Sequence, residues 1–137
     1  MKDSVIRCVL SGSYRKERAG LLSAYNELVT CGCQVLSPHR LDFDQQDTLF
    51  VRDAAEAGIS EETIERHHLL SIKQSDFVWL HAPNGYLGLS AAFEVGYALA
   101  HNIPVFASEE VAESGLSAFI KVVPSVYKAI EHVAATA

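Results

Sequence analysis

A short apolar run, a glycine-bearing loop and a helix follow one another in the middle of the chain, and this unit most constrains the fold. Residues 77–82 read FVWLHA, which is short enough for a parallel strand buried on both faces. Asn84, Gly85 and Gly88 mark the loop. Ser90 is a suitable N-cap for the helix that follows. The pattern predicts a strand–loop–helix unit of an α/β domain.

A single acid, Glu94, lies in the first turns of that helix among apolar neighbours. Burying a carboxylate without partners costs free energy, so such an acid is a candidate for function. Ligands of open α/β sheets bind outside the carboxyl ends of the strands, and Glu94 follows such an end. A positioned, ionised carboxylate can attack an anomeric carbon and form a covalent glycosyl-enzyme. The alternative is a purely structural acid, bonded to a neighbouring backbone group or to Tyr97.

Strand and helix patterns alternate over the rest of the chain. Ser60 has the features of a helix N-cap, and Pro124 is predicted in the first turn of a closing helix. A polar segment, residues 39–58, is predicted to be a functional lid or to contain short helices. The alternation indicates one α/β domain, residues 1–137, with a mainly parallel sheet. We predict strands at 5–10, 34–37, 77–82, 104–107 and the end of 116–123, and helices at 19–30, 60–74, 90–102 and 124–135.

Composition narrows the class of protein. The chain has 137 residues and a net charge of −6, which argues against a nucleic-acid polymer as partner. No apolar run approaches the roughly 20 residues needed to span a bilayer, so no membrane partner is expected. Cys31 and Cys33 have neither redox nor zinc spacing, and no H-x-x-x-H motif occurs. We therefore predict a cytoplasmic protein that needs no metal and no cofactor.

A loop rich in small and basic residues follows the first predicted strand. Glycine permits a tight turn, hydroxyl groups and free amides can cradle a phosphate at a helix N-terminus, and arginine grips oxyanions with two hydrogen bonds. The alternative is a solvated turn with incidental charges. The predicted anion site consists of Ser11, Gly12, Ser13, Tyr14 and Arg15.

Proton transfer needs a second group. The helix before the central strand carries Glu65, His67 and His68, and a histidine can exchange protons near neutral pH. The alternative is that both histidines are ordinary helix residues. His39 follows the second strand at the same edge of the sheet, where it could contact a sugar or a base or belong only to the surface.

Taken together, these motifs resemble the nucleoside 2-deoxyribosyltransferase superfamily, and most closely its branch that contains the 2′-deoxynucleoside 5′-phosphate N-hydrolase. The resemblance covers nearly the whole chain. It implies a flavodoxin-like, Rossmann-like three-layer sandwich with a five-stranded, mainly parallel sheet. It also implies a small-molecule nucleotide or nucleoside as substrate, and a homodimer or higher oligomer with active sites near subunit contacts. The matching segments are GSYR at 12–15, VLSPH at 35–39, SDFVWL at 75–80, FEVGYA at 93–98 and IPV at 103–105.

The resemblance also implies roles for single residues. Glu94 matches the nucleophile that attacks C1′ and displaces the base, and the loop 12–15 matches the phosphate-binding loop. Ser90 lies near a phosphate-contacting serine, and Ser117 resembles a serine that reaches the phosphate of the neighbouring subunit. The glycine loop between strand and helix adds two predicted substrate contacts, Asn84 and Gly88.

One position departs from the family pattern. An aspartate usually serves as acid–base two helical turns before the position of Asp76, and here that place is held by His68. We predict a hydrolase that cleaves the N-glycosidic bond of a nucleoside 5′-monophosphate through Glu94, with His68 as proton carrier. The alternatives are a deoxyribosyltransferase that exchanges bases and a non-catalytic nucleotide sensor.

Overall fold

A five-stranded sheet with all strands parallel forms the centre of the computed structural model, which describes residues 5–39, 41, 43–44, 52–53, 56 and 58–136. The strands run in the order β2-β1-β5-β6-β7. A separate antiparallel ribbon, β3 with β4, lies within the predicted lid segment, most of which falls outside the described residues. The strands are β1 Arg7–Gly12, β2 Gln34–Ser37, β3 Phe43–Asp44, β4 Arg52–Asp53, β5 Phe77–His81, β6 Val105–Ala107 and β7 Lys121–Val122.

Helices cover both faces of the sheet, which confirms the predicted three-layer α/β architecture. The order of the five parallel strands is that of the flavodoxin-like fold. Among the described residues, no helix is both long enough and apolar enough to cross a membrane. The helices are α1 Arg18–Thr30, α2 Glu61–Gln74, α3 Leu89–Ala100, α4 Ser114–Ser117 and α5 Val126–Thr136.

The alternation of side chains along β1 divides the core into two halves. Cys8 and Leu10 pack on the side of α1 and α5. Val9 packs on the other side, with Ile72 of α2 and Val95 of α3. Successive strand residues point to opposite faces, so Ser11 shares the face of Val9. A polar side chain is therefore placed under α2 and α3 at the carboxyl end of β1.

Most helix boundaries agree with the prediction, and two do not. Ser60 caps α2, because its hydroxyl accepts a hydrogen bond from the Thr63 amide at 3.2 Å. Ser90 is not the N-cap of α3: Gly88 holds that position without a side-chain cap, and Ser90 lies inside the first turn. Pro124 lies ahead of α5 rather than in its first turn, because the hydroxyl of Ser125 accepts the Lys128 amide and begins the helix.

Candidate functional site

The site begins where β1 and β5 end side by side. Strand β1 extends two residues beyond its predicted end, since Ser11 pairs with Leu80 and Gly12 with His81. The chain then turns at Gly12, whose φ of 117° lies in the region that favours glycine. A Cβ atom there would stand 2.1 Å from the carbonyl oxygen of His81. Glycine at position 12 is therefore required by both conformation and space.

The loop after Gly12 is held by its own side chains. The Ser13 amide donates to the His81 carbonyl at 3.0 Å, and the Ser13 hydroxyl accepts from the Lys16 amide at 3.1 Å. The hydroxyl of Tyr14 donates to the Leu10 carbonyl at 2.6 Å. The ammonium group of Lys16 lies 4.6 Å from the ring centre of Tyr86, a cation–π contact. These contacts fix the loop across the end of the sheet.

A cavity of about 490 Å³ opens beside this loop, which is in the range of small-molecule sites. Its walls are residues 12–15, residues 37–38 at the end of β2, Glu56, one face of α2, and the first turns of α3 together with Tyr86. The cavity thus lies at the switch point of the sheet order, where ligands of such folds bind. Of the predicted site residues, those that line it are Gly12, Ser13, Tyr14, Arg15, His68, Gly88, Ser90 and Glu94.

Glu94 lies at the bottom of the cavity and is only 7% exposed. Its carboxylate accepts a hydrogen bond from the Ser11 hydroxyl and lies 3.3 Å from Nε2 of His68. Burial acts to raise the pKa of Glu94, but the charge and proximity of His68, together with Glu65 and the hydroxyl of Ser11, outweigh it and lower the pKa to about 2. Glu94 is therefore an ionised carboxylate, oriented by two partners.

The helix terminus contributes little to this ionisation. Glu94 lies in the second turn of α3, whereas the favourable field of a helix N-terminus fades within the first turn. The ionised form is stabilised instead by His68 and by Ser11, which was predicted as part of the phosphate loop but whose hydroxyl is directed at Glu94.

His68 is held at Nδ1, whereas its buried Nε2 has no hydrogen-bond partner within the described part of the chain. Its Nδ1 lies 2.6 Å from the hydroxyl of Ser37, at the end of β2, and its Nε2 faces Glu94. The ring of Tyr14 meets that of His68 edge to face, with centroids 6.5 Å apart. The structure thus brings His68 to the predicted nucleophile and orients its ring. The role of Ser37 gave no signal in the sequence.

Glu65 is a further acid in the cavity, one helical turn before His68. It is half-buried, and its Oε2 atom has no hydrogen-bond partner within the described part of the chain. Burial, and then contact with the Glu94 carboxylate, raise the pKa of Glu65 to about 9. The sequence indicated Glu65 only as a neighbour of His68. The spacing of three residues, which puts both on one helix face, was the available signal.

Besides Ser11, which contacts Glu94 from beneath, three predicted residues lie outside the walls of the cavity. His39 is exposed, and its carbonyl accepts from the Tyr25 hydroxyl at 3.5 Å. Asn84 is exposed in a short 3₁₀ turn, where its backbone amide donates to the Glu109 carboxylate. Ser117 donates to the Ser114 carbonyl within α4, and its predicted contact with a neighbouring subunit stays a prediction. Across the described ranges, no three histidine, cysteine or acidic residues form a group that could hold a metal ion.

Comparison with known proteins supports the fold. No protein-family model matches the sequence, and no curated protein matches it either. Among solved structures, the CMP N-glycosidase BcmB of Clostridium botulinum superposes with a TM-score of 0.55 at 14% identity, over 96% of this chain and 99% of the other. A conserved protein of Enterococcus faecalis V583 superposes with a TM-score of 0.59 at 16% identity, over 98% and 100%. At such identities the likeness establishes the α/β fold.

Proposed function

We propose that this chain is a member of the nucleoside 2-deoxyribosyltransferase superfamily that hydrolyses the N-glycosidic bond of a nucleoside 5′-monophosphate. The observation that carries the proposal is the buried, ionised Glu94, oriented by Ser11 and His68 in a cavity of nucleotide size. The likeness to a structure described as a CMP N-glycosidase supports the same class of reaction. The substrate is a small molecule, and the reaction needs only the side chains of the site and water.

Glu94 acts as the nucleophile in this proposal. The hydroxyl of Ser11 and the ring of His68 hold the carboxylate in one orientation, so that one oxygen can approach C1′ of the sugar. Attack displaces the base and forms a glycosyl–Glu94 ester, which water then hydrolyses. Charges arranged in advance need no reorganisation during reaction. His68, or a neighbour in the cavity, supplies and removes the proton.

The phosphate lies at the other end of the cavity, between the loop 12–15 and the first turn of α3. Helix α3 begins at Leu89 without a side-chain cap, which leaves its first amides available to an anion. Arg15 and Ser90 line the cavity there. This geometry supports recognition of a 5′-phosphate by one guanidinium group, one helix end and the backbone of the loop.

Replacing Arg15 with alanine is expected to raise KM for the nucleotide by about 10- to 100-fold, the range of one lost hydrogen bond to a charged group. Cleavage of the corresponding nucleoside, which has no phosphate, should change little. Steady-state kinetics on both substrates measures the difference. Arg66→Ala is the matched control, because Arg66 pairs with Glu62 on an exposed face of α2. Equal losses on nucleotide and nucleoside would contradict a phosphate contact.

A screen of ribo- and deoxynucleoside monophosphates tests the proposed function directly. Chromatography of the released base, together with thermal-shift measurements, should identify nucleotides that both stabilise the protein and lose their base. Addition of a foreign base tests for the transferase, which would form an exchanged nucleoside. Stabilisation without base release over long incubation would indicate a nucleotide sensor and overturn the proposed hydrolase.

We also propose that the chain forms a homodimer or higher oligomer through exposed apolar side chains of α3. Leu89 is 92% exposed and Phe93, one turn later, 57% exposed, an apolar pair that favours burial against a second copy. The double variant Leu89→Asp/Phe93→Asp should therefore sediment as a monomer in analytical ultracentrifugation. Leu22→Asp, at a half-exposed position on α1, should keep the wild-type mass. A wild-type monomer would overturn the proposal.

A further inference from the structure

We propose that Glu65 is the general acid–base of this site: its carboxylic acid protonates the leaving base, and its carboxylate later removes a proton from water. The inference rests on the proposed function and deepens it. It moves the proton-transfer role from His68, the position indicated by the family pattern, to the residue one turn earlier on the same face of α2.

The contacts of the three side chains separate their roles. Both ring nitrogens of His68 face protein groups, Ser37 and Glu94, so the ring is placed to orient the nucleophile. Glu65 lines the cavity beside His68, and its buried Oε2 atom, like Nε2 of His68, has no hydrogen-bond partner in the ranges described. A protonated carboxyl group in that place has one proton to donate, which the adjacent Glu94 carboxylate or a ligand in the cavity can accept.

Electrostatics favours the proton on Glu65. Burial raises its pKa and the adjacent Glu94 carboxylate raises it further, since two neighbouring carboxylates resist ionising together. Two carboxyl groups with pKa values driven apart form the usual division between a general acid and a nucleophile. The titratable groups that line the same cavity are Tyr14 and Arg15 of the loop, Glu56 before α2, His68 of α2, Tyr86, and Glu94 of α3.

The proposed steps balance. A Glu94 oxygen forms a bond to C1′ as the C1′–N bond breaks, and the electron pair of that bond stays with the base. The base takes the proton of Glu65 and leaves, and Glu65 becomes a carboxylate. Water then attacks C1′ and gives its proton to Glu65, while the bonding electrons of the ester return to Glu94. Both residues regain their initial state.

The protonation state is tested without activity. Protein labelled with ¹³C at the glutamate carboxyl carbons is titrated by NMR, and Glu65→Gln identifies the Glu65 signal. We expect its midpoint near pH 9, far above the exposed glutamates. A midpoint below about pH 6 would overturn the inference, because the group would be ionised at neutral pH.

The catalytic role is tested by dependence on the leaving group. Glu65→Gln should slow release of a natural base by at least about 100-fold, the range of general acid catalysis. The same variant should slow hydrolysis of 4-nitrophenyl riboside 5-phosphate by less than about 10-fold, because 4-nitrophenolate leaves without taking up a proton. His68→Gln should slow both substrates alike. If His68→Gln shows the dependence instead, His68 is the acid and the inference fails.

Two further outcomes keep the inference separate from the proposed function. If Glu65→Gln does not fold, Glu65→Ala is assayed with the 4-nitrophenyl substrate and azide, an anionic nucleophile that needs no general base. Faster product release with azide supports the role, and no acceleration opposes it. If wild-type protein releases no base from any nucleotide, the proposed function and the catalytic role both fall, whereas the NMR titration still decides whether Glu65 holds a proton.

Discussion

Glu94→Gln is expected to lower base release by at least about a thousandfold, because an amide cannot act as the nucleophile that forms the glycosyl ester. Glutamine keeps the size of the side chain and an acceptor oxygen for the Ser11 hydroxyl, so the fold should remain. Turnover is measured by chromatography at saturating nucleotide, and the near-ultraviolet circular dichroism spectrum monitors the fold. An unchanged rate would remove Glu94 from the mechanism.

Glu27→Gln provides the matched control for that variant. Glu27 is half-buried on α1, across the sheet from the cavity, and its carboxylate accepts the Val126 amide at 3.2 Å. Its substitution removes one negative charge and weakens one hydrogen bond of the structure, but should leave turnover close to that of the wild type. Equal losses in the two variants would indicate that charge or stability, rather than chemistry, governs the effect.

The same Glu94 variant has a defined dependence of stability on pH. The pKa of Glu94 falls from its ordinary 4.5 to about 2 in the folded protein. A lowered carboxyl pKa stabilises the fold above pH 4.5, and this contribution is lost as the pH falls towards 2. Glu94→Gln should therefore melt below the wild type at pH 7, with a gap that narrows below pH 4.5. Melting curves between pH 3 and 7 measure the gap.

Gly12→Ala is the second substitution with a large expected effect. The methyl group would stand 2.1 Å from the His81 carbonyl oxygen and would occupy a backbone with φ of 117°. Relief requires β1 and β5 to separate at their ends, so we expect a loss of at least about 3 kcal/mol in unfolding free energy. Urea denaturation measures this loss.

Gly32→Ala isolates the conformational part of that cost. Gly32 has a positive φ of 88°, yet a Cβ atom there meets nothing within 4 Å. Its substitution should cost about 1–2 kcal/mol, the penalty of a left-handed alanine. Equal losses at positions 12 and 32 would show that β1 and β5 accommodate the methyl group at position 12 without separating.

Local signals were sufficient for most of the fold. The strand 34–37 was predicted with the bounds it has, because β-branched and apolar residues stand between Gly32 and Pro38. The N-cap at Ser60 was also predicted correctly from the sequence. The prediction of Ser90 as N-cap was wrong, because a hydroxyl near a helix start is only a local preference. The N-cap of α3 is Gly88, two residues earlier.

The candidate site depended more on tertiary structure. Glu94 stood out as an acid among apolar residues, but its partner Ser11 comes from β1, and Ser37, which bonds His68, comes from β2. No local pattern shows that β1 turns Ser11 towards α3. The family pattern indicated His68 rather than Glu65 as the proton carrier. The raised pKa of Glu65 arises only in the folded chain, where α2 and α3 face each other.

The adjacency of Ser11 and Gly12 has a consequence for specificity. One residue holds the proposed nucleophile and the next opens the proposed phosphate loop, so a single Cα–Cα step of about 3.8 Å separates the two anchoring points. The sheet backbone thus fixes the distance between the group that contacts the sugar of a substrate and the loop that contacts its phosphate. On the opposite wall, Glu65 and His68 are fixed by their proposed roles, whereas lining residues such as Ile64 carry no such constraint. Relatives built on this frame can change the base they accept by substitutions on that wall, and keep one length of sugar phosphate.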